Sequence, residues 1–597
     1  MIIVMDYPPQ MPHQAPFSSK PIPHHLQHPL LSNQLQPINS DSHTSMWLDD
    51  PYSGSTACPS QRDSGFNSRP ASLRSVESTG TGPTYHGSTS GYEHSSRYSN
   101  DLENNHSQYT ELEPTQPPVK PAPAHVIPEL MNLLMEEDSV IVREAVLLTH
   151  MLIKEGGETR LEVIQNRELI NALLDTFTKD IGDGKIVFAL ANLFHSISQQ
   201  QEGLRAILDC GGISRLIPIL DSSDNTVNYV ITALHNFLTV LQEQAAHEIE
   251  RCDGIQKFIN LLERSNDKLL TLVSDSLLKM SNYNVKAKMY IQNNEKCIQR
   301  LLYIFDASKY DKLLLTISKL LPIISSGNEL IKRIILQLNG LNIFEKHLRT
   351  TKSIRIRHNC LITIRNISNQ ATRMRDIDSL IQQLAGILLT DDHQSVICSL
   401  GILNNLTADN RTNKSLFVKL NGVQTLMQKL LMNADGNDDL TEVVLCTLRH
   451  VTARHDLENE ARETIRRSYG IGNIIKLLRD KNFKEHGGIL KATVGLIKNL
   501  ALSTTLIPYL SEQNAVRRLI ELLFIIDRER SKVTEDIKLD LLLDIIIGAL
   551  INLAKDLSCR TIIKEMNCTS IFIRFSRLPP CLLQQSSNIL LNELNVD

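Results

Sequence analysis

The stretch “SLGILNNLTADNRTNK”, residues 399–414, contains the pattern on which the fold turns. Its hexamer “ILNNLT” (402–407) sets two apolar residues, a variable one, a polar one, then an apolar and a small one. The pattern returns as “LLTHML” (147–152), “ALANLF” (189–194), “ALHNFL” (233–238), “SLLKMS” (276–281), “TISKLL” (316–321) and “TIRNIS” (363–368). It continues as “TLRHVT” (447–452), “LIKNLA” (496–501), “ALINLA” (549–554) and “ILLNEL” (589–594). The fourth position reads His150, Asn192, Asn236, Lys279, Lys319, Asn366, Asn405, His450, Asn499, Asn552 and Asn592. Successive members lie 39 to 53 residues apart. A glycine followed by an apolar residue keeps a related spacing at Gly212, Gly254, Gly340, Gly422 and Gly470, and suits tight corners between helices. A non-repetitive helical protein would not reproduce one hexamer eleven times at so narrow a step.

A period near forty with three helical stretches per unit is armadillo-like. The expected fold is all-α: a right-handed superhelical solenoid of about 11 armadillo repeats over 126–597, preceded by a disordered tail, 1–125. One such unit cannot bury its apolar faces alone, whereas stacked units share a continuous core and leave a long groove. The hexamers are then third helices, and their polar fourth residues form a ladder along that groove. Amides suit the backbone of an extended peptide, and Lys and Arg suit its carboxylates.

Composition divides the chain at the same place. Residues 1–125 hold 17 of the 23 prolines, with 11 acidic and 6 basic residues. Such a segment buries too little surface to offset chain entropy, which predicts disorder. The remainder is almost neutral, so a basic surface on it has to come from segregation of charge. The whole chain carries a net charge of −4, which argues against general nucleic-acid binding. The ten cysteines are scattered and suggest neither a zinc site nor a disulfide framework, pointing to a reducing compartment. The “MIIVMDYPPQ” start has no basic region of a signal peptide, and no uncharged apolar run reaches the ~20 residues that span a bilayer, so membrane insertion is not expected. No phosphate loop, metal spacing or nucleophile motif is present, so neither an enzyme nor a cofactor is expected. An importin-α-like receptor needs tryptophans beside the ladder, and the chain's single tryptophan is Trp47.

Bases accompany the ladder in a phase set by the repeat. They include Arg365 beside Asn366, Arg449, His450 and Arg454 in “TLRHVTARH”, and Lys491 and Lys498 ahead of Asn499. “LTADNRTNK” runs off its helix into Lys414, and “MSNYNVKAK” ends in Lys288. With “NCLITIRNISNQATR” (359–373), “TEVVLCTLRHVTARH” (441–455) and “LKATVGLIKNLAL” (490–502), these stretches closely resemble the β-catenin family over roughly 125–597. The resemblance implies a scaffold in Wnt signalling that binds acidic extended peptides of TCF/LEF factors, the cadherin cytoplasmic tail, APC and axin. It implies that Lys288 and Lys414 each pair with a partner carboxylate. It also places Asn236, Lys268, Arg365, Asn366, Asn405, Arg449, His450, Arg454, Lys491, Lys498 and Asn499 along the same groove. The implied location is cytoplasm and nucleus. The alternative is a cadherin-binding adhesion component at cell–cell junctions.

The same resemblance reads “DSGFNS” (63–68) as a phosphodegron. Phosphates on Ser64 and Ser68, with Asp63, Gly65 and Phe66 between and beside them, would engage an F-box receptor of a ubiquitin ligase. The step of four from Ser72 to Ser68 to Ser64 suits a glycogen synthase kinase primed downstream. Each phosphate adds roughly −1.5 to −2 charges. Some features depart from the family. Leu315 and Ile362 stand where it has tryptophans, Lys498 replaces an arginine, and Pro322 lies inside a third helix, where a kink is expected. Five prolines in “EPTQPPVKPAPAH” (113–125) oppose a long α-catenin-binding helix there, so α-catenin is not an expected partner. The family's acidic C-terminal tail has no counterpart, from which weak or antagonistic transcriptional output is expected.

Overall fold

The computed structural model describes residues 123–179, 182–433, 436–532 and 537–595. The phosphodegron, Asp63 to Ser72, lies outside them. The first described helix, Pro123–Leu133, starts three residues ahead of the expected boundary at 126 and runs through Pro128.

Among the described residues every regular element is a helix, and all eleven hexamers fall on long ones. In chain order these are α1 (Ser139–Glu155), α2 (Gly184–Ile197), α3 (Asp224–Val240), α4 (Asp267–Tyr283), α5 (Asp311–Ser325), α6 (Ile354–Ala371), α7 (His393–Thr407), α8 (Asp438–Val451), α9 (Gly487–Leu500), α10 (Ile537–Ala554) and α11 (Leu582–Glu593). Other helices, most of them shorter, separate them, typically two per unit. Each of α2 to α10 packs against the long helix before it and the one after it, and α1 and α11 against their one long neighbour, which is the one-dimensional stacking expected of a solenoid.

Local chemistry sets the starts. Asp138, Asp183, Asn266, Ser353, Asp392 and Asn437 each cap a long helix by accepting a backbone N–H of its first turn. The apolar positions then face inward at helical spacing. In α3, for instance, Val227, Val230, Ile231, Leu234, Phe237 and Leu238 are fully buried. The largest buried side chains include Phe194, Phe237, Phe258, Phe305, Phe344 and Phe417, spread along the array. Burying such a ring contributes about 1.5–3 kcal/mol, so the core is distributed over the units.

The glycine corners work differently from the sequence expectation. The left-handed residue is the one before the glycine, as at Asn339 (φ 61°) and Asn421 (φ 57°). The glycine itself opens the next helix and is required by close approach. A Cβ at Gly340 would lie 2.5 Å from Ile335 Cγ2, and one at Gly422 would lie 2.4 Å from the Phe417 ring.

Pro322 does not end its helix: α5 continues to Ser325. Only the last turn loses a backbone bond there, and the Pro322 carbonyl accepts from Asn366 Nδ2 at 3.0 Å.

Candidate functional site

The ladder is real, but it is fastened to the protein. Asn236 Nδ2 donates to Ser198 Oγ at 3.0 Å, at the end of α2. Asn366 Nδ2 donates to Pro322 O and Ser325 Oγ at the end of α5. Asn405 Nδ2 reaches Ser368 Oγ on α6 at 2.8 Å. Asn499 Nδ2 reaches Arg449 O at 2.8 Å, and Asn552 Nδ2 reaches Lys498 O at 3.0 Å. Each amide thus ties its helix to the last turn of the one before. The amide nitrogens thus already bridge neighbouring units, a role the sequence reading did not include.

His450 bonds the Asn404 carbonyl through Nδ1 at 3.1 Å, and Arg449 Nη2 lies 3.2 Å from its Nε2. Burial, followed by the charges of Arg449 and Lys414, holds its pKa well below the usual histidine range, so it is neutral at pH 7. His455 is lowered as well, with burial the largest cause and Lys414 contributing. Lys414, Arg449, His450 and His455 therefore form one cluster across two units.

Three of the bases that accompany the ladder share a feature the sequence reading did not recognise, a glycine beneath each one. Arg365, Arg449 and Lys498 each stand one residue before a ladder position, and each lies over a glycine of the next long helix. A Cβ at Gly401 would meet Arg365 Nε at 2.7 Å, at Gly495 it would meet Arg449 Cδ at 2.6 Å, and at Gly548 it would meet Lys498 Nζ at 2.8 Å. Each glycine stands four residues before its own ladder member. At the same register Leu315 and Ile362 supply half-buried apolar side chains, and Asp275 meets His235.

Lys288 and Lys414 lie past the ends of their long helices, Asp267–Tyr283 and His393–Thr407. Both are in the first turn of a following short helix, Val285–Asn293 and Arg411–Lys419. Each stands four residues after a capping asparagine, Asn284 and Asn410. Lys288 Nζ donates to Ser326 Oγ and Lys414 Nζ to Ala453 O, both at 3.0 Å, so each reaches the end of the next long helix. Lys414 is only 4% exposed. Lys332 shares the register, four residues after the cap Asn328, and was overlooked. The Asn-x-x-x-Lys spacing at 284–288, 328–332 and 410–414 was the available signal.

The remaining candidates are less tightly grouped. Lys268 is exposed in the first turn of α4. Arg454 lies beyond α8 in a left-handed conformation (φ 63°), exposed, with its backbone N–H on Glu458 Oε2. Lys491 on α9 lies beside Glu442 of α8, whose carboxyl is pushed up by burial and by Asp439 and drawn down by Lys491. Among the described residues no group of side chains could hold a metal ion, and no helix is long and apolar enough to cross a membrane.

Stacked helical units with a recurring polar ladder and a register of bases define an armadillo-repeat array. A solved β-catenin structure, from a study of a phosphorylation switch controlling the cadherin–β-catenin interaction, shares the fold. Its TM-score is 0.64 at 22% identity, over 78% of this chain and 100% of that one. No protein-family model matches the chain. The chain is similar to junction plakoglobin of Xenopus laevis, 33% identical over 485 residues, 79% of this chain and 64% of the relative. It is 32% identical to catenin beta of Urechis caupo over 485 residues, 79% of this chain and 58% of the relative. It thus spans about three fifths of the length of these curated relatives. The chain is thus a homologue of the armadillo-repeat proteins plakoglobin, catenin beta and, in Musca domestica, the armadillo segment polarity protein, at 32–33% identity over 75–79% of its length.

Proposed function

We propose that this chain is a β-catenin-like scaffold whose groove along the long helices holds acidic extended peptides. The observation that carries this reading is the register of bases: Arg365, Arg449 and Lys498, each laid over a glycine of the next helix, with Lys288 and Lys414 reaching the ends of α5 and α8. An extended peptide rises about 3.3 Å per residue, so its alternate side chains can meet successive units. The ladder amides carry a second N–H and an oxygen for its backbone. The solved neighbour concerns cadherin and β-catenin, which supports a cadherin cytoplasmic tail as one ligand. TCF/LEF factors, APC and axin present the same acidic chemistry and are proposed as ligands of the same groove.

Phosphorylation-dependent turnover through Ser64 and Ser68 would couple this scaffold to Wnt signalling in cytoplasm and nucleus. The second reading, adhesion at cell–cell junctions, is favoured by the similarity to junction plakoglobin. Calorimetric titration with acidic peptides from a cadherin tail and from a TCF factor tests the groove. Micromolar or tighter binding of both supports it, and no binding of either refutes it. Affinity purification that scores TCF, cadherin tail and α-catenin together separates signalling from adhesion.

A further inference from the structure

Two carboxylates of the chain are paired with basic side chains at the groove. On α4, Asp275 Oδ2 lies 2.6 Å from His235 Nε2 of α3 and 3.4 Å from Lys279 Nζ. Asp275 takes the position that glycine holds at 401, 495 and 548, and Lys279 is the ladder residue itself. Burial raises the Asp275 carboxyl, and the His235 bond with Lys279 more than reverses this, so it stays ionised. On the next unit Glu329 opens the helix Glu329–Gln337 and accepts from Lys332 Nζ at 2.8 Å. Its other oxygen accepts from Gln370 Nε2 at 2.5 Å, at the end of α6. Lys332 is in the Asn-plus-four register of Lys288 and Lys414. The first helical residue is Val285 in the Lys288 unit and Arg411 in the Lys414 unit; only here among the three is it acidic.

We propose that Asp275 and Glu329 are ligands the chain supplies to its own groove, each holding a lysine where a bound peptide's carboxylate would sit. This rests on the acidic-peptide reading above and refines it. The α3–α6 stretch then accepts a neutral or apolar peptide segment and admits an acidic one only by displacing an internal carboxylate. The half-buried Leu315 and Ile362 in this stretch fit an apolar occupant. The acidic part of a partner is thereby directed to the stretch from Arg365 to Lys498, which sets the register of binding.

The test uses the full chain and a fluorescein-labelled peptide of alternating Glu and Ala, followed by fluorescence anisotropy. Asp275→Asn and Glu329→Gln should each tighten binding roughly two- to fivefold, the range expected for releasing a partly exposed ion pair. Adding Lys279→Gln to the first, or Lys332→Gln to the second, should cancel the gain. Circular dichroism checks folding. Should Glu329→Gln unfold, because Lys332 is only 6% exposed in its side chain, Asp275→Asn still decides the matter. Unchanged or weaker binding by folded Asp275→Asn, with Lys414→Glu still abolishing binding, overturns the inference. Failure of the unsubstituted chain to bind, or indifference to Lys414→Glu, overturns the acidic-groove reading and the inference with it.

Discussion

Replacing Lys414 by Met keeps the unbranched stem and deletes the charge. The Nζ of Lys414 bonds the Ala453 carbonyl at 3.0 Å, and the side chain is 4% exposed. Two separate losses follow. The first is to the fold: a hydrogen bond from a charged donor contributes about 1.5–3 kcal/mol, so the urea midpoint should fall. The second is to binding. An exposed lysine–carboxylate pair contributes only about 0–1 kcal/mol, but removing one partner of a desolvated pair costs roughly 2–5 kcal/mol. At about 1.4 kcal/mol per decade, the acidic peptide should bind at least tenfold more weakly. Lys414→Glu should bind worse than Lys414→Met, through like-charge repulsion. Calorimetric titration of a cadherin-tail or TCF peptide measures the second loss, with circular dichroism and urea unfolding separating it from the first. A folded Lys414→Met protein that binds as tightly as the unsubstituted chain would refute the reasoning.

Gly495→Ala places a Cβ 2.6 Å from Arg449 Cδ, so the guanidinium has to swing aside. Helix propensity gains about 1 kcal/mol from the alanine, so stability should hold while peptide affinity drops by about fivefold; equal losses of both would contradict the positioning role. Stability should also fall with acid. Burial lowers His150 and His195 to about 4 from the unfolded value of 6.5, so below pH 6.5 the unfolded chain binds more protons than the folded one. The urea midpoint should decline as pH drops from 6.5 towards 4, and His150→Gln should flatten that decline; an unaltered slope would mean other groups govern it. In cells with active glycogen synthase kinase, Ser64→Ala or Ser68→Ala should lengthen the protein's lifetime in a cycloheximide chase, and unchanged turnover would remove the degron from the proposal.

The phase of the long helices was legible because helical periodicity is local. “ILNNLT” and its ten relatives carry their own apolar face, and each one falls on a long helix; the ladder residues of seven of them, from His150 to Asn552, also bond a neighbouring long helix or the residues at its end. The capping signals were equally local, since an Asn or Asp side chain bonds a backbone N–H two or three residues away. What the sequence could not convey was the pairing between units. Arg449 over Gly495 and Lys498 over Gly548 join residues 46 and 50 apart, and only the packing of one helix against the next brings those positions together. The burial of Lys414 is of the same kind. Read along the chain, it is one more base in a polar run, “DNRTNK”, and its depth depends on α8 closing over it to offer the Ala453 carbonyl. Nothing beside Asp275 or Glu329 in the sequence singles them out, for the same reason: the histidine and the glutamine that bond them are supplied by neighbouring units. A repeat sequence determines each unit's helices and the direction its polar residues face, because those follow from contacts a few residues apart. The charge that a partner meets is decided between units, by distances that no single unit contains.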